Sequence, residues 1–297
     1  MTESLPLRHR LEGTPDPSHE WPGAPGVAIR GDSWGDPNGR PVYLLHGGGQ
    51  TRHAWKGAGE VLGEAGYHAI AFDARGHGDS DWAPKGIYDN DDQVTDLECV
   101  IKAVGGAPPI LVGASMGGGT SLLAVGERNL NAAAVVLVDM APRIAPEGSA
   151  KIREFMSQAP DGFESLEQVA DAIANYQPHR ERPRNLDGLV KNVRQGDDGR
   201  YYWHWDPRRM QRAWNMDEYR DRLEEAAKNL TGTPTLLVRG GLSDVLTEEG
   251  AQKFLAVAPH AEYVSVSDAA HMVAGDRNDI FAGAVIEFLA RRAPAAG

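Results

Sequence analysis

A chain of 297 residues with 41% hydrophobic side chains carries enough apolar material for a sizeable core, and the length suits one large domain or one and a half. Thirty basic against 42 acidic residues leave a net charge of −12, which opposes binding to nucleic acid or an anionic membrane surface and leaves a neutral or weakly charged small molecule as the expected partner. The single cysteine, Cys99, excludes an internal disulfide and a thiolate metal cluster; on the reading reached below, neither metal nor cofactor is expected.

The first residues, Met1-Thr-Glu-Ser-Leu-Pro-Leu-Arg-His9, lack the cationic start and apolar stretch of a secretion signal. The longest apolar run, 132–138, is only strand-sized, and a soluble, cytoplasmic protein is expected. Residues 5–12 read as a first strand, followed by breakers at Thr14-Pro-Asp-Pro17 and Trp21-Pro-Gly-Ala-Pro-Gly26. A strand at 27–30 and a turn at Asp36-Pro-Asn-Gly39 then suggest an antiparallel lead-in to a sheet.

From there apolar strands at 42–45, 68–72, 109–112 and 134–138 alternate with helical stretches near 54–65, 91–104 and 117–128. This rhythm calls for a mostly parallel sheet with helices on both faces, an α/β architecture. It stops over 141–232, where charge is dense, helical patches occur at 150–158, 166–176 and 216–230, and no buried strand is evident; an inserted helical subdomain is expected. It returns with strands at 234–238 and 262–266 and helices at 248–257 and 278–292, which makes 1–140 and 233–297 the core and 141–232 the insert.

Ligands of an open parallel sheet bind beyond the carboxyl ends of its strands. Four loops there carry reactive residues: His46-Gly-Gly-Gly-Gln50, Gly113-Ala-Ser-Met-Gly117, Gly240-Gly-Leu-Ser-Asp244 and Asp268-Ala-Ala-His271. Ser115 lies between a strand and a helix, with glycines two residues before and after it, as a serine on a sharp turn requires. A serine hydroxyl needs a base, for which His271 is the candidate, and an imidazole needs a carboxylate on its other nitrogen. Asp244, 27 residues before His271, is the expected acid; Asp139, whose loop opens at the same edge, is its rival. Each has a plainer reading, Asp244 as the cap of the next helix and His271 as a hydrogen-bonded core residue. The amides of Gly48 and Met116 are the expected oxyanion donors, with Gly47 or Gly49 as the neighbouring possibility. The glycine loop lacks the Gly-Lys-Ser/Thr ending that grips a nucleotide.

The run of Leu44-Leu-His-Gly-Gly48, Asp73-Ala-Arg-Gly-His-Gly-Asp-Ser80, Gly113-Ala-Ser-Met-Gly-Gly118, Gly241-Leu-Ser-Asp244 and His271 resembles the α/β-hydrolases, in the branch of esterases, lactonases, cofactor-free haloperoxidases and epoxide hydrolases. The resemblance implies Ser115 as nucleophile, Asp244 as acid, His271 as base, Gly48 and Met116 as the oxyanion hole, and loop-holding roles for Arg75 and His77. It implies that the insert is a cap over the site, in which Trp203, Trp205 and Trp214 wall an apolar pocket or form the cap's own core. Gly47, His53 and Trp55, near the oxyanion loop, are further candidates for facing substrate.

Two departures bear on the chemistry. Ala114 stands where many relatives carry histidine, and the glycine-rich loop lacks the nearby proline of haloperoxidase-like members, which weighs against peroxide chemistry. Serine rather than aspartate at 115 argues against epoxide hydrolysis and dehalogenation. The expected function is therefore cleavage of a carboxylic ester or lactone through an acyl-enzyme. The alternatives are perhydrolysis or C–C or amide cleavage on the same triad, and, from another class, ligand binding without turnover.

Overall fold

The computed structural model describes residues 8–182, 184–211, 215–276 and 278–295, so Trp214 and the start of the expected first strand lie outside the described residues. The chain opens with β1 (Arg8–His9), β2 (His19–Pro22), β3 (Ala28–Trp34) and β4 (Arg40–Leu45). A 3-10 turn at Arg52–Trp55 leads into α1 (Lys56–Glu64), then β5 (Tyr67–Phe72), α2 (Asn90–Val104), β6 (Ile110–Ala114), α3 (Met116–Gly126) and β7 (Ala134–Val138). There follow α4 (Pro146–Met156), α5 (Leu166–Tyr176), β8 (Val193–Gly196), β9 (Tyr201–Trp203) and α6 (Met216–Lys228). The chain closes with β10 (Thr235–Gly240), α7 (Glu248–Val257), β11 (Glu262–Val266), the single turn α8 (Val273–Asp276) and α9 (Asn278–Arg292).

Eight strands make one sheet in the order β11-β10-β7-β6-β4-β5-β3-β2. All pairs are parallel except β3 with β5 and β2 with β3, the antiparallel lead-in that the turns near residue 36 suggest. Central strands buried on both faces need apolar side chains at every position, and β4 shows how they divide. Val42 and Leu44 pack with Trp55, Leu62 and Phe281 on one face, while Tyr43 and Leu45 pack with Leu97, Leu122 and Phe254 on the other.

Register decides what meets at the carboxyl edge. Leu45 pairs with Gly113, Ala114 with Val138, and Val138 with Val238, so the residues that follow β4, β6 and β7 emerge side by side.

The insert departs from the helical expectation. Its β8 and β9 form an antiparallel hairpin closed by Asp197-Asp-Gly-Arg200, with Gly199 at φ +78 and bonds from Gly196 N–H to Arg200 O and Gly199 N–H to Gly196 O, both 2.9 Å. The residues expected to start the main sheet pair with this hairpin instead, Arg8 opposite Gly196 and His9 opposite Gln195. Around it Phe163, Val169, Leu189, Trp203 and Trp205 make a separate small core. Helix α6, placed in the insert by its charge, packs on α3 and α7 of the core, with Leu223, Ala226 and Ala227 buried there. Ala226 O would lie only 2.0 Å from a Cβ at Gly126, so α3 and α6 approach as closely as glycine permits.

Candidate active site

Ser115 has φ 47 and ψ −111, outside the conformations an L-residue prefers, because β6 must turn at once into α3. The flanking glycines make the turn possible. A Cβ at Gly113 would stand 2.4 Å from Gly117 O, and one at Gly117 would stand 2.4 Å from Leu45 O. The backbone is pinned on either side, by Ser115 N–H donating to Val138 O and Gly117 N–H to His46 O, each at 3.2 Å.

His271 and Asp139 are brought together. His271 Nδ1 lies 2.7 Å from Asp139 Oδ2, and the carboxylate is fully buried. Ser243 Oγ–H donates to the same oxygen at 2.5 Å, and Gly240 N–H donates to Oδ1 at 2.9 Å. Three donors on an ionised acid leave its partner imidazole as a donor through Nδ1, which frees Nε2 to accept a proton.

Asp244, the expected acid, is elsewhere: its side chain is 54% exposed and paired with Lys151 on α4. The correction has a simple cause. Asp139 follows the last residue of β7 directly and turns back with φ +48, whereas Asp244 lies four residues beyond Gly240, where the loop has already rotated outward. Ser243 takes the inward position and accepts Val245 N–H at 3.1 Å and Leu246 N–H at 3.2 Å, so this serine, which sequence reasoning missed, joins Asp139 to the loop.

In the glycine loop, Gly47 N–H donates to Gln50 Oε1 at 2.9 Å and Gly49 N–H to His77 Nε2 at 3.3 Å. Gly48 N–H and Met116 N–H meet no acceptor among the described residues, and both residues line a cavity with Ser115. Of the three glycines, Gly48 is thus the one whose amide is uncommitted.

Ser115 stands between two cavities. One, of about 280 Å³, is lined by Gly48, Met116, Asp139 and a methionine-rich wall that includes Met140, Met156 and Met216. The other, of about 210 Å³, is lined by His271, Gly47, His53, Phe155, Trp203 and Trp205. Trp203 and Trp205 stack at 4.9 Å, so they form the insert's core and wall this cavity at once. Trp55 is buried against Phe281 and reaches only a small crevice behind Ser115. Among the described residues no cluster of histidine, cysteine or carboxylate side chains is arranged to hold a metal, and no helix is long and apolar enough to cross a membrane.

A model of the alpha/beta hydrolase family matches residues 42–284. The chain belongs to this family. It is 27% identical to the esterase Rv0045c of Mycobacterium tuberculosis across 84% of this chain and 82% of that one, and its fold superposes on a crystal structure of that esterase with a TM-score of 0.70 at 26% identity, covering 97% and 92% of the two chains. It is also 27% identical to the non-heme chloroperoxidase CPO-A1 of Kitasatospora aureofaciens, over 89% of this chain and 96% of that one. An E-2-(acetamidomethylene)succinate hydrolase shares the fold, with a TM-score of 0.77 at 22% identity over 96% and 99% of the chains.

In this hydrolase three buried histidines hold the glycine loop from below. His46 Nε2 accepts Ala74 N–H at 2.9 Å, His77 Nε2 accepts Gly49 N–H, and His204, from the insert, accepts Gly78 N–H at 2.8 Å through Nδ1 while its Nε2 lies 3.3 Å from Gly49 O. Each must be neutral to accept, and burial lowers the pKa of all three, that of His204 to about 3. An unfolded histidine takes its proton near pH 6.5, so these groups stabilise the native state above that pH, and stability falls as pH drops toward the folded values. Urea unfolding between pH 7 and 5 will show this slope, and His204→Gln will flatten it by one proton, about 1.4 kcal/mol per pH unit at full effect.

Proposed function

We propose that this hydrolase cleaves a carboxylic ester or lactone through an acyl-enzyme, with Ser115 as nucleophile, His271 as base and Asp139 as the acid that orients it. The observation that carries this reading is the bond from His271 to the buried, threefold-held Asp139 beside a serine on a strained turn. Ser115 Oγ bonds to the substrate carbonyl carbon as His271 Nε2 takes its proton, and the carbonyl electron pair moves onto an oxygen facing the amides of Gly48 and Met116. The C–O bond to the leaving group then breaks, and that oxygen takes the proton from His271. Water, deprotonated by the same imidazole, attacks the acyl-enzyme, and Ser115 is released with a carboxylic acid. Each oxyanion donor lowers the barrier by on the order of 3 kcal/mol. The esterase relatives support ester chemistry; the chloroperoxidase relative supports a second reading in which hydrogen peroxide replaces water in the last step and a peracid leaves.

The test is a stopped-flow burst of p-nitrophenol from p-nitrophenyl butyrate together with stoichiometric labelling by a fluorophosphonate. Both are expected in the native protein and lost in Ser115→Ala. Labelling or turnover that survives the substitution would move the nucleophile elsewhere; absence of both in the native protein would favour ligand binding without turnover.

A further inference from the structure

Both cavities beside Ser115 hold cations, but only the methionine-walled one is lined by a carboxylate, Asp139. Among the described residues that line the one on the His271 side none is an aspartate or glutamate, although the chain as a whole carries 42 acidic residues against 30 basic ones. Two cations reach into it. Arg180 is half-buried and tied to Asp276, with Nε donating to Oδ1 at 2.6 Å. Lys191 is half-buried at the same wall, beside Asn192 and Gln177, and has no ion-pair partner among the described residues. Burial and the neighbouring Lys56 hold its ammonium below the ordinary lysine pKa. The opposite cavity is lined by three arginines: Arg220 pairs with Asp217, Arg209 stacks over Tyr88, and Arg153 has no ion-pair partner among the described residues.

The position of His271 says which half of a substrate meets Lys191. The imidazole returns its proton to the departing oxygen, so the leaving group lies on the His271 side and the acyl chain extends toward the methionine-walled cavity. We infer that the leaving group of the substrate carries a carboxylate or similar anion at its far end, which Lys191 binds. This rests on the serine-hydrolase reading above and refines it. It also corrects the impression given by net charge: an overall acidic chain presents a locally cationic, carboxylate-free chamber. An anion seated there gains a charge-assisted hydrogen bond in a partly dry site and discriminates against the neutral isostere by about tenfold or more.

The experiment compares 3-carboxyphenyl butyrate with 3-carbamoylphenyl butyrate, which matches it in shape, and with monophenyl succinate, which moves the carboxylate to the acyl side. Fluorophosphonate labelling of Ser115 runs in parallel. In the native enzyme kcat/KM for the carboxyphenyl ester is expected to exceed that of the carbamoyl ester by about tenfold, mainly through KM. The ratio should fall to near one in Lys191→Met and below one in Lys191→Glu. Equal rates for the two aryl butyrates in the native enzyme, which needs no variant, would overturn the inference, as would a ratio insensitive to both substitutions. A preference for monophenyl succinate would place the anion on the wrong half and overturn it too. Labelling of Ser115 with no preference among the esters rejects the Lys191 subsite alone; absence of labelling and of all turnover rejects the hydrolase mechanism and the subsite with it.

Discussion

Asp139→Asn is expected to lower kcat on p-nitrophenyl butyrate by about 10³–10⁴-fold, while Asp244→Asn changes it less than about twofold. The asparagine keeps the shape but presents an NH₂ group to a nitrogen that now lies 2.7 Å from a carboxylate oxygen. The imidazole must then accept through Nδ1 and carry its hydrogen on Nε2, the tautomer that cannot take a proton from serine. The developing imidazolium also loses its counter-charge in a site where that charge is fully shielded from water. Asp244 has no such lever. It is more than half exposed and engaged with Lys151, and an exposed pair of this kind contributes at most about 1 kcal/mol. Steady-state kinetics on the two variants decide the matter, and the opposite ranking would return the acid to position 244.

The second large effect is on stability. Arg52→Met is expected to cost about 3–5 kcal/mol, a large share of an ordinary domain's stability. Arg52 is completely buried and donates to Asp32 Oδ2 at 2.8 Å, Asp73 Oδ2 at 2.7 Å, Asp79 Oδ2 at 2.8 Å and Pro15 O at 2.9 Å. Methionine fills the space but leaves a fully buried Asp73 without its cation. Burial pushes the Asp73 carboxyl up, yet Arg52 and the amides of Arg52 and Asp79 outweigh it and hold it below the ordinary carboxylate value. In the native protein, therefore, this group stabilises the fold above the unfolded carboxyl pKa and loses that contribution only as pH falls through the lower folded value. Without Arg52 the sign reverses: burial raises the folded pKa, and the variant becomes less stable as pH rises through it. The gap in urea midpoint between native protein and variant should thus be wide at pH 7 and narrower at pH 5. A gap that does not change with pH would mean that Asp73 is not the group left stranded.

The sheet was legible because its strands are buried on both faces and therefore read as short continuous apolar runs. Ser115 was legible for a related reason, since glycines at 113 and 117 answer to clashes of 2.4 Å that any side chain would meet. The acid was not. Two carboxylates follow strand ends, and the choice between them depends on how far past the strand each one lies and on the left-handed turn at Asp139, neither of which a spacing along the chain encodes. The hairpin of β8 and β9 was hidden by the charges of Arg194, Arg200 and the Asp197-Asp198 turn, although a Gly-Asp-Asp-Gly stretch before Tyr201-Tyr-Trp203 is a turn signal in itself. Helix α6 misled for the opposite reason: its charged face dominates the composition, while the few residues that pack on α3 are small. The histidines under the glycine loop divide in the same way. His46 and His77 sit in recognisable stretches, whereas His204 comes from a region whose aromatic density drew the eye to its neighbours.

The pairing of β1 with β8 has a bearing on how the chamber exchanges its contents. Arg8 and His9 add a strand to the insert's hairpin, Arg8 lies 4.1 Å over the ring of Tyr202, and the segment that follows is held at Pro15 by Arg52 of the core. The roof is thus strapped down at a third place besides its two chain connections. A strap there opposes rotation of the insert about those two connections. Anyone grafting this roof onto a related scaffold has to carry residues 8–16 along with it, because a transplant of the inserted stretch alone would leave one seam unsewn.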